Sequence, residues 1–175
     1  MIGGGARQTL AQALGEDGGD KIDRLLPLLL DHYGTNIAVH TRPFPHAIEA
    51  VDKLRACGVK CAIVTNKRES FTYKLLLSLD LLDRFACVIG GDTLGAGRTK
   101  PKPDPILAMI EQCGGGRAAF VGDSIYDIDA GKAAGVPTVA CAFGFLQQPI
   151  ETLGANAIIS GFDELIPTLT RLGTQ

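Results

Sequence analysis

Short, unbroken apolar runs alternate with stretches of helical spacing along most of this chain. Residues 59–64 form the first run and end in Thr65-Asn66; residues 69–79 follow with Phe71, Leu75, Leu76 and Leu79 on one helical face. A second run, 85–90, leads into a Gly-rich loop and the stretch Lys100-Pro101-Lys102-Pro103-Asp104-Pro105. A helix over 105–112 and a run over 118–122 come next, and the run ends in Asp123-Ser124. A helix over 125–134 closes on Gly135, runs at 137–142 and 157–159 follow, and a last helix covers 163–172. Strands that are apolar throughout, rather than alternately, are buried on both faces. Alternation of such strands with helices predicts an α/β fold with a parallel sheet covered on both sides and right-handed crossovers.

The first part of the chain differs in kind. Residues 6–14 and 20–33 read as helices joined by a Gly-rich turn, with no strand of comparable strength. Residues 40–45 look like a connector, and a helix over 47–56 begins the repeating part. The expected division is a helical module over 1–42 and an α/β core over 43–175.

Composition narrows the functional classes. Hydrophobic residues make up 46% of the 175 positions, enough for one substantial core. The net charge is −2 and no basic run occurs, so electrostatics give no reason to expect nucleic-acid binding. No apolar stretch has the length of a membrane span, and no signal peptide is recognisable. The five cysteines sit mostly in apolar runs without CxxC or Cys/His spacing, which predicts buried, reduced thiols and a cytoplasmic location.

In open α/β sheets, ligands gather beyond the carboxyl ends of the strands. The polar residues that end each run are therefore the candidates. Thr65 offers a hydroxyl, and the N–H groups around Asn66 at the following helix start suit phosphate oxygens. Asp123 supplies a hard oxygen ligand, and Asp127 falls one helical turn later, a spacing able to bring two carboxylates toward one Mg²⁺. Capping of the helix by Asp123 and Ser124, with Asp127 complementing its dipole, is the plainer use of the same residues. Lys100 and Lys102 lie among prolines that stiffen the loop, and a lysine held there can neutralise phosphate charge.

The succession Val64-Thr65-Asn66-Lys67, Gly90-Gly91-Asp92-Thr93, Lys100-Pro101-Lys102-Pro103 and Gly122-Asp123-Ser124-Ile125-Tyr126-Asp127 resembles motifs two to four of the haloacid dehalogenase superfamily, nearest its phosphoglycolate phosphatase branch. Arg42-Pro43-Phe44-Pro45 and the segment from Gly131 to Pro137 extend the similarity over nearly the whole chain. The resemblance implies a Rossmann-like three-layer core with a partial helical cap, and hydrolysis of a small phosphorylated metabolite with Mg²⁺. It also implies that Thr65 and Asn66 bind the phosphoryl group, Lys100 balances charge, Asp123 holds the metal, and Asp127 supports the metal shell or the lysine. Residues 2–7 resemble the segment that closes over substrate, which makes Arg7 a candidate specificity contact.

One departure stands against the match. The family's first motif, Asp-x-Asp-Gly-Thr at the end of an apolar strand, supplies the nucleophile, and no such run occurs here. Asp17, Asp20, Asp23 and Asp31 lie in polar or helical surroundings. The corresponding strand in this family lies between the Thr65 and Asp123 strands. Without it, two apolar strands would present unpaired backbone in mid-sheet, so strand exchange or a homodimer is expected to cover the gap. The sequence thus reads as a phosphatase without its beginning, inactive as it stands, or alternatively as a non-catalytic phosphate- and Mg²⁺-binding protein. Gly3-Gly4-Gly5 and Gly114-Gly115-Gly116 lack the strand–G-x-G-x-x-G–helix context of a dinucleotide site.

Overall fold

Every expected helix forms in the computed structural model, which describes residues 5–15, 19–146 and 148–173. Helices α1 (Ala6–Leu14) and α2 (Gly19–Thr35) pack against each other, and α2 continues through Pro27. The repeating part runs α3 (Ala47–Ala56), β1 (Ile63–Val64), α4 (Glu69–Ser78), β2 (Val88–Ile89), α5 (Asp104–Gln112), β3 (Phe120–Gly122), α6 (Ile125–Ala133), β4 (Thr138–Cys141), β5 (Ala157–Ile159) and α7 (Leu165–Arg171). The expected helix over 163–172 is split between a 3-10 turn, Phe162–Glu164, and α7.

All strand pairs are parallel, and the fold is α/β, as the alternation of elements predicts. Among the described residues the sheet forms as two pieces, in line with the gap expected between the Thr65 and Asp123 strands. β1 pairs only with β2, and β3–β4–β5 form a separate three-stranded sheet. The register places Ile63 opposite Val88, and Phe120 opposite Thr138.

Burial follows this division. β4 is buried at all four positions: Val139 and Cys141 join Ala50, Ile159 and Leu165 in one cluster, while Ala140 joins Ile128 and Leu153 in another. Successive strand residues point to opposite faces, so β4 is the centre of a covered sheet. β1 and β3 are only half-buried along their lengths. Between them lies a cavity of about 870 Å³, lined by Ile63, Val64, Phe120 and Val121, by residues of α3, α5 and α7, and by the segments that lead into β1 and β3. A strand that meets a cavity on one side has a ladder on the other side only.

Candidate functional site at the carboxyl ends of the strands

The residues leaving β1 turn at once. The Lys67 N–H donates to Thr65 Oγ1 at 3.1 Å, and the Thr65 N–H donates to the Ile89 carbonyl, holding the turn against β2. The Asn66 amide is spent on the next loop: its Nδ2 donates to the Lys100 carbonyl and its Oδ1 accepts from the Lys100 N–H, both at 3.0 Å. A two-point clamp of this kind fixes the backbone of Lys100 and so aims its side chain.

Lys100 lies across the rim from one half-sheet to the other. Its Nζ donates to the Val64 carbonyl at 2.9 Å and to Asp127 Oδ1 at 2.6 Å, and it stands 5.4 Å from the Phe120 ring centroid. Both charged side chains are nearly buried, at 9% and 8% exposure. The other oxygen of Asp127 works as a helix cap. Oδ2 accepts from the Ser124 hydroxyl at 2.6 Å and from the Ser124 N–H at 3.1 Å, completing a capping box at the start of α6. Asp127 therefore orients the lysine and caps its own helix with the same carboxylate.

Asp123 projects to the rim from the end of β3. Its Oδ2 accepts from the Phe145 N–H at 2.8 Å, and among the described residues its Oδ1 carries no hydrogen bond. Gly144 brings the β4 loop this close, since a Cβ there would lie 2.2 Å from Asp123 Cβ. Among the described residues no three His, Cys, Asp or Glu side chains cluster as a ready metal cage. One carboxylate oxygen facing a rim still fits Mg²⁺, which keeps several waters and binds through one or two carboxylates plus a phosphate.

Asp92 and Thr93, from the second of the quoted motifs, serve the backbone and Glu69. Asp92 Oδ1 accepts from the Glu69 N–H, while Thr93 Oγ1 accepts from the Gly90 N–H and donates to Glu69 Oε2, each at 2.8 Å. Arg7 pairs with Asp23 of α2 at 2.8 Å with both side chains exposed, and residues 2–4 of its segment lie outside the described residues. Two contacts between the N-terminal helices and the core were not anticipated. Lys67 Nζ donates to the Tyr33 hydroxyl and lies 4.6 Å from that ring's centroid, and Gln8 Nε2 donates to the Tyr126 hydroxyl at 2.7 Å. Lys67 directly follows Asn66 and Tyr126 lies between Asp123 and Asp127, so adjacency to the motifs was the available signal.

Beneath the rim, burial and the neighbouring Asp123 and Asp127 carboxylates push the Cys141 thiol up from 9.0 to about 12. The raised value favours the neutral thiol in the fold. Its stabilising effect is full below pH 9.0 and is lost as pH climbs through about 12. Exposed Cys57 should therefore alkylate readily with iodoacetamide at about pH 8, whereas buried Cys141 should stay unmodified until denaturant is added. Peptide mass mapping checks the order, and early labelling of Cys141 would contradict it.

Residues 1–141 match the family model described as haloacid dehalogenase-like hydrolase. The chain belongs to this family. It is 43% identical over 145 residues to a phosphoglycolate phosphatase of Mesorhizobium japonicum, a match that covers 82% of the chain and 63% of that protein. It is 37% identical over 150 residues to the phosphoglycolate phosphatase of Escherichia coli, covering 83% of the chain and 59% of the relative. The chain thus spans about three-fifths of the length of these relatives. Among solved structures, a predicted phosphoglycolate phosphatase from Haemophilus somnus superimposes with a TM-score of 0.79 at 27% identity, over 95% of this chain and 78% of that one. A predicted phosphatase from Clostridium acetobutylicum, 18% identical with a TM-score of 0.80 over 97% of this chain and 78% of that one, shares the fold. Among the described residues no helix is long and apolar enough to cross a membrane.

Proposed function

We propose that the rim is the phosphate- and Mg²⁺-binding half of a phosphomonoesterase of the phosphoglycolate phosphatase type, acting on a small phosphorylated metabolite in the cytoplasm. The observation that carries this reading is the position of Lys100. It is nearly buried, clamped by Asn66, and held between Val64 and Asp127. An ammonium has three donors, and among the described residues two are used. The third is left for a phosphoryl oxygen at the rim. The Thr65 hydroxyl, which accepts from the Lys67 N–H and keeps its own O–H to donate, completes the cradle.

Asp123 Oδ1 would hold Mg²⁺ together with a phosphate oxygen and water. When bound, the metal supplies positive charge that offsets the phosphate's own. Asp127 acts through Lys100 rather than on the metal, because both of its oxygens are engaged. Asn66 acts through the same lysine. We read 1–42 as cap and 43–175 as core, with Arg7 close to where substrate selectivity would be exercised. Tyr33 and Gln8 tie these helices to Lys67 and Tyr126 beside the motifs.

Transfer through an aspartyl-phosphate needs a carboxylate in line with the leaving group. Asp123 is committed to the metal, and the sequence holds no Asp-x-Asp-Gly-Thr run. The 175-residue chain should therefore bind inorganic phosphate in a Mg²⁺-dependent way, yet hydrolyse p-nitrophenyl phosphate no faster than its Asp123→Ala variant. Titration calorimetry and a turnover assay on both proteins test this. Brisk Mg²⁺-dependent hydrolysis abolished by Asp123→Ala would show that the nucleophile is already present. The same missing run favours a second reading, a phosphate-binding protein without turnover, which predicts that no added carboxylate restores hydrolysis.

A further inference from the structure

Two thiols meet on the α5 face of the β1–β2 half-sheet, away from the rim. Strand alternation places the first. A Cβ at Gly90 would lie 2.3 Å from the Glu69 backbone nitrogen of α4. Positions 88 and 90 therefore face α4, and Cys87 and Ile89 face the opposite way, toward α5. Helix α5 packs on β2 from that side and ends at Cys113, its C-cap. The Cys113 Sγ donates to Met109 Sδ at 3.9 Å and is hydrogen-bonded to the Cys87 thiol. The other three cysteines lie elsewhere. Cys61 Sγ donates to the Val51 carbonyl of α3 at 4.0 Å, Cys57 is exposed at the end of α3, and Cys141 is buried in the cluster around Ala50 and Ile159.

The surroundings allow slow chemistry at this pair. Both thiols are half-buried, and Cys113 opens on the cavity between β1 and β3, which at about 870 Å³ admits a small oxidant. Partial burial, and then the Cys87 thiol, hold the Cys113 thiol above its usual value, while the Lys60 ammonium, which donates to the Cys113 carbonyl at 2.7 Å, pulls the other way. Reaction should therefore be slow at neutral pH and faster in alkali, where more thiolate is present.

We propose that Cys87 and Cys113 form a reversible redox-modification site, oxidised by a peroxide to a disulfide that ties the end of α5 to β2. One sulfur attacks the peroxide and the O–O bond breaks. One oxygen stays on that sulfur as a sulfenic acid, and the other takes the thiol proton and leaves as water. The second sulfur then attacks the first, its proton goes to the sulfenic oxygen, and that oxygen leaves as a second water. Two thiols and one hydrogen peroxide thus give one disulfide and two waters, and a small dithiol restores both thiols by exchange. The cross-link closes a loop from 87 to 113 that contains Lys100 and α5, one wall of the cavity. Neither cysteine belongs to the rim, so the site does not depend on phosphate binding.

The test treats the full chain with hydrogen peroxide at about pH 8. Remaining thiols are blocked with iodoacetamide in denaturant, and peptides are mapped by mass without reductant. The Cys87–Cys113 link should exceed every other pairing about tenfold, and the excess should vanish when oxidation is done in urea, where the fold no longer sets proximity. Oxidation should raise Tm by about 5 °C or more, and dithiothreitol should reverse both changes. Cys87→Ser and Cys113→Ser should each abolish the rise, whereas Cys57→Ser should keep it.

A different dominant pairing would overturn the proposal, as would a link between two chains. Oxidation that stops at a sulfenic acid or at Met109 sulfoxide, with no cross-link, would overturn it too. So would a linked protein whose Tm matches that of the reduced chain. Should either serine variant fail to fold, mapping and Tm of the parent chain alone still decide.

Discussion

Replacing Asp127 with asparagine should lower stability by about 3–5 kcal/mol, the usual cost of removing one member of a buried ion pair. The substitution nearly preserves shape, so volume is not the issue. What changes is that the Lys100 ammonium, at 9% exposure, loses the only carboxylate it is paired with among the described residues. It keeps the Val64 carbonyl at 2.9 Å and the Phe120 ring at 5.4 Å, which solvate a cation far less well than water does. At about 2–4 °C per kcal/mol for a chain of this size, Tm should fall by about 6–20 °C. Lys100→Met should cost less, because Asp127 retains the Ser124 hydroxyl and two backbone N–H donors. The double variant should cost clearly less than the sum of the singles, as coupled partners do. Thermal and urea unfolding of the four proteins measure the cycle. A loss below about 1 kcal/mol for Asp127→Asn would mean that the pair behaves like an exposed one.

The second large effect is expected at Gly122. A Cβ built there lies 2.3 Å from Asp127 Cβ and 2.4 Å from its Cγ, far inside any tolerable contact. The crowding comes from the close approach of β3 to α6, since Gly122 has no positive φ. Asp127 cannot simply rotate away, because its two oxygens are held by Lys100 and Ser124. Gly122→Ala should therefore cost at least the 1–3 kcal/mol typical of an overpacked core, and should also weaken Mg²⁺-dependent phosphate binding by displacing Asp127 and with it Lys100. Gly19→Ala is the natural control: a Cβ there meets nothing within 4 Å, so it should be neutral or slightly stabilising. Unfolding curves and phosphate titration on both variants decide the matter; a Gly122→Ala protein that matches the parent in both would refute the steric account.

The sequence made the helices and their order readable because each carries its own apolar spacing. The segment 69–79 ends at Ser78 in α4, and 105–112 begins one residue earlier, at Asp104 of α5. The strands were readable as apolar runs but not in extent, since extent depends on having a ladder partner. Val59, Cys61 and Ala62 belong to the same run as Ile63 and Val64, yet they lie outside β1. The division of labour within the rim was hidden for a different reason. A motif places Asn66, Lys100, Asp123 and Asp127 near one another but does not say where a side chain points. Rotamers decided that Asn66 faces the Lys100 backbone rather than the rim, and that Asp127 turns toward lysine and cap while Asp123 stays open. The Tyr33–Lys67 contact joins residues far apart in sequence, so no local pattern announces it.

The span of Lys100 from Val64 to Asp127 has a mechanical consequence. Because β1 and β3 share no hydrogen-bond ladder among the described residues, the Lys100 side chain acts as a tie rod between two plates that helices also clamp from outside. Any event that draws the ammonium outward, such as an arriving anion, must loosen the tie as it forms, so occupancy of the rim and the separation of the plates change together.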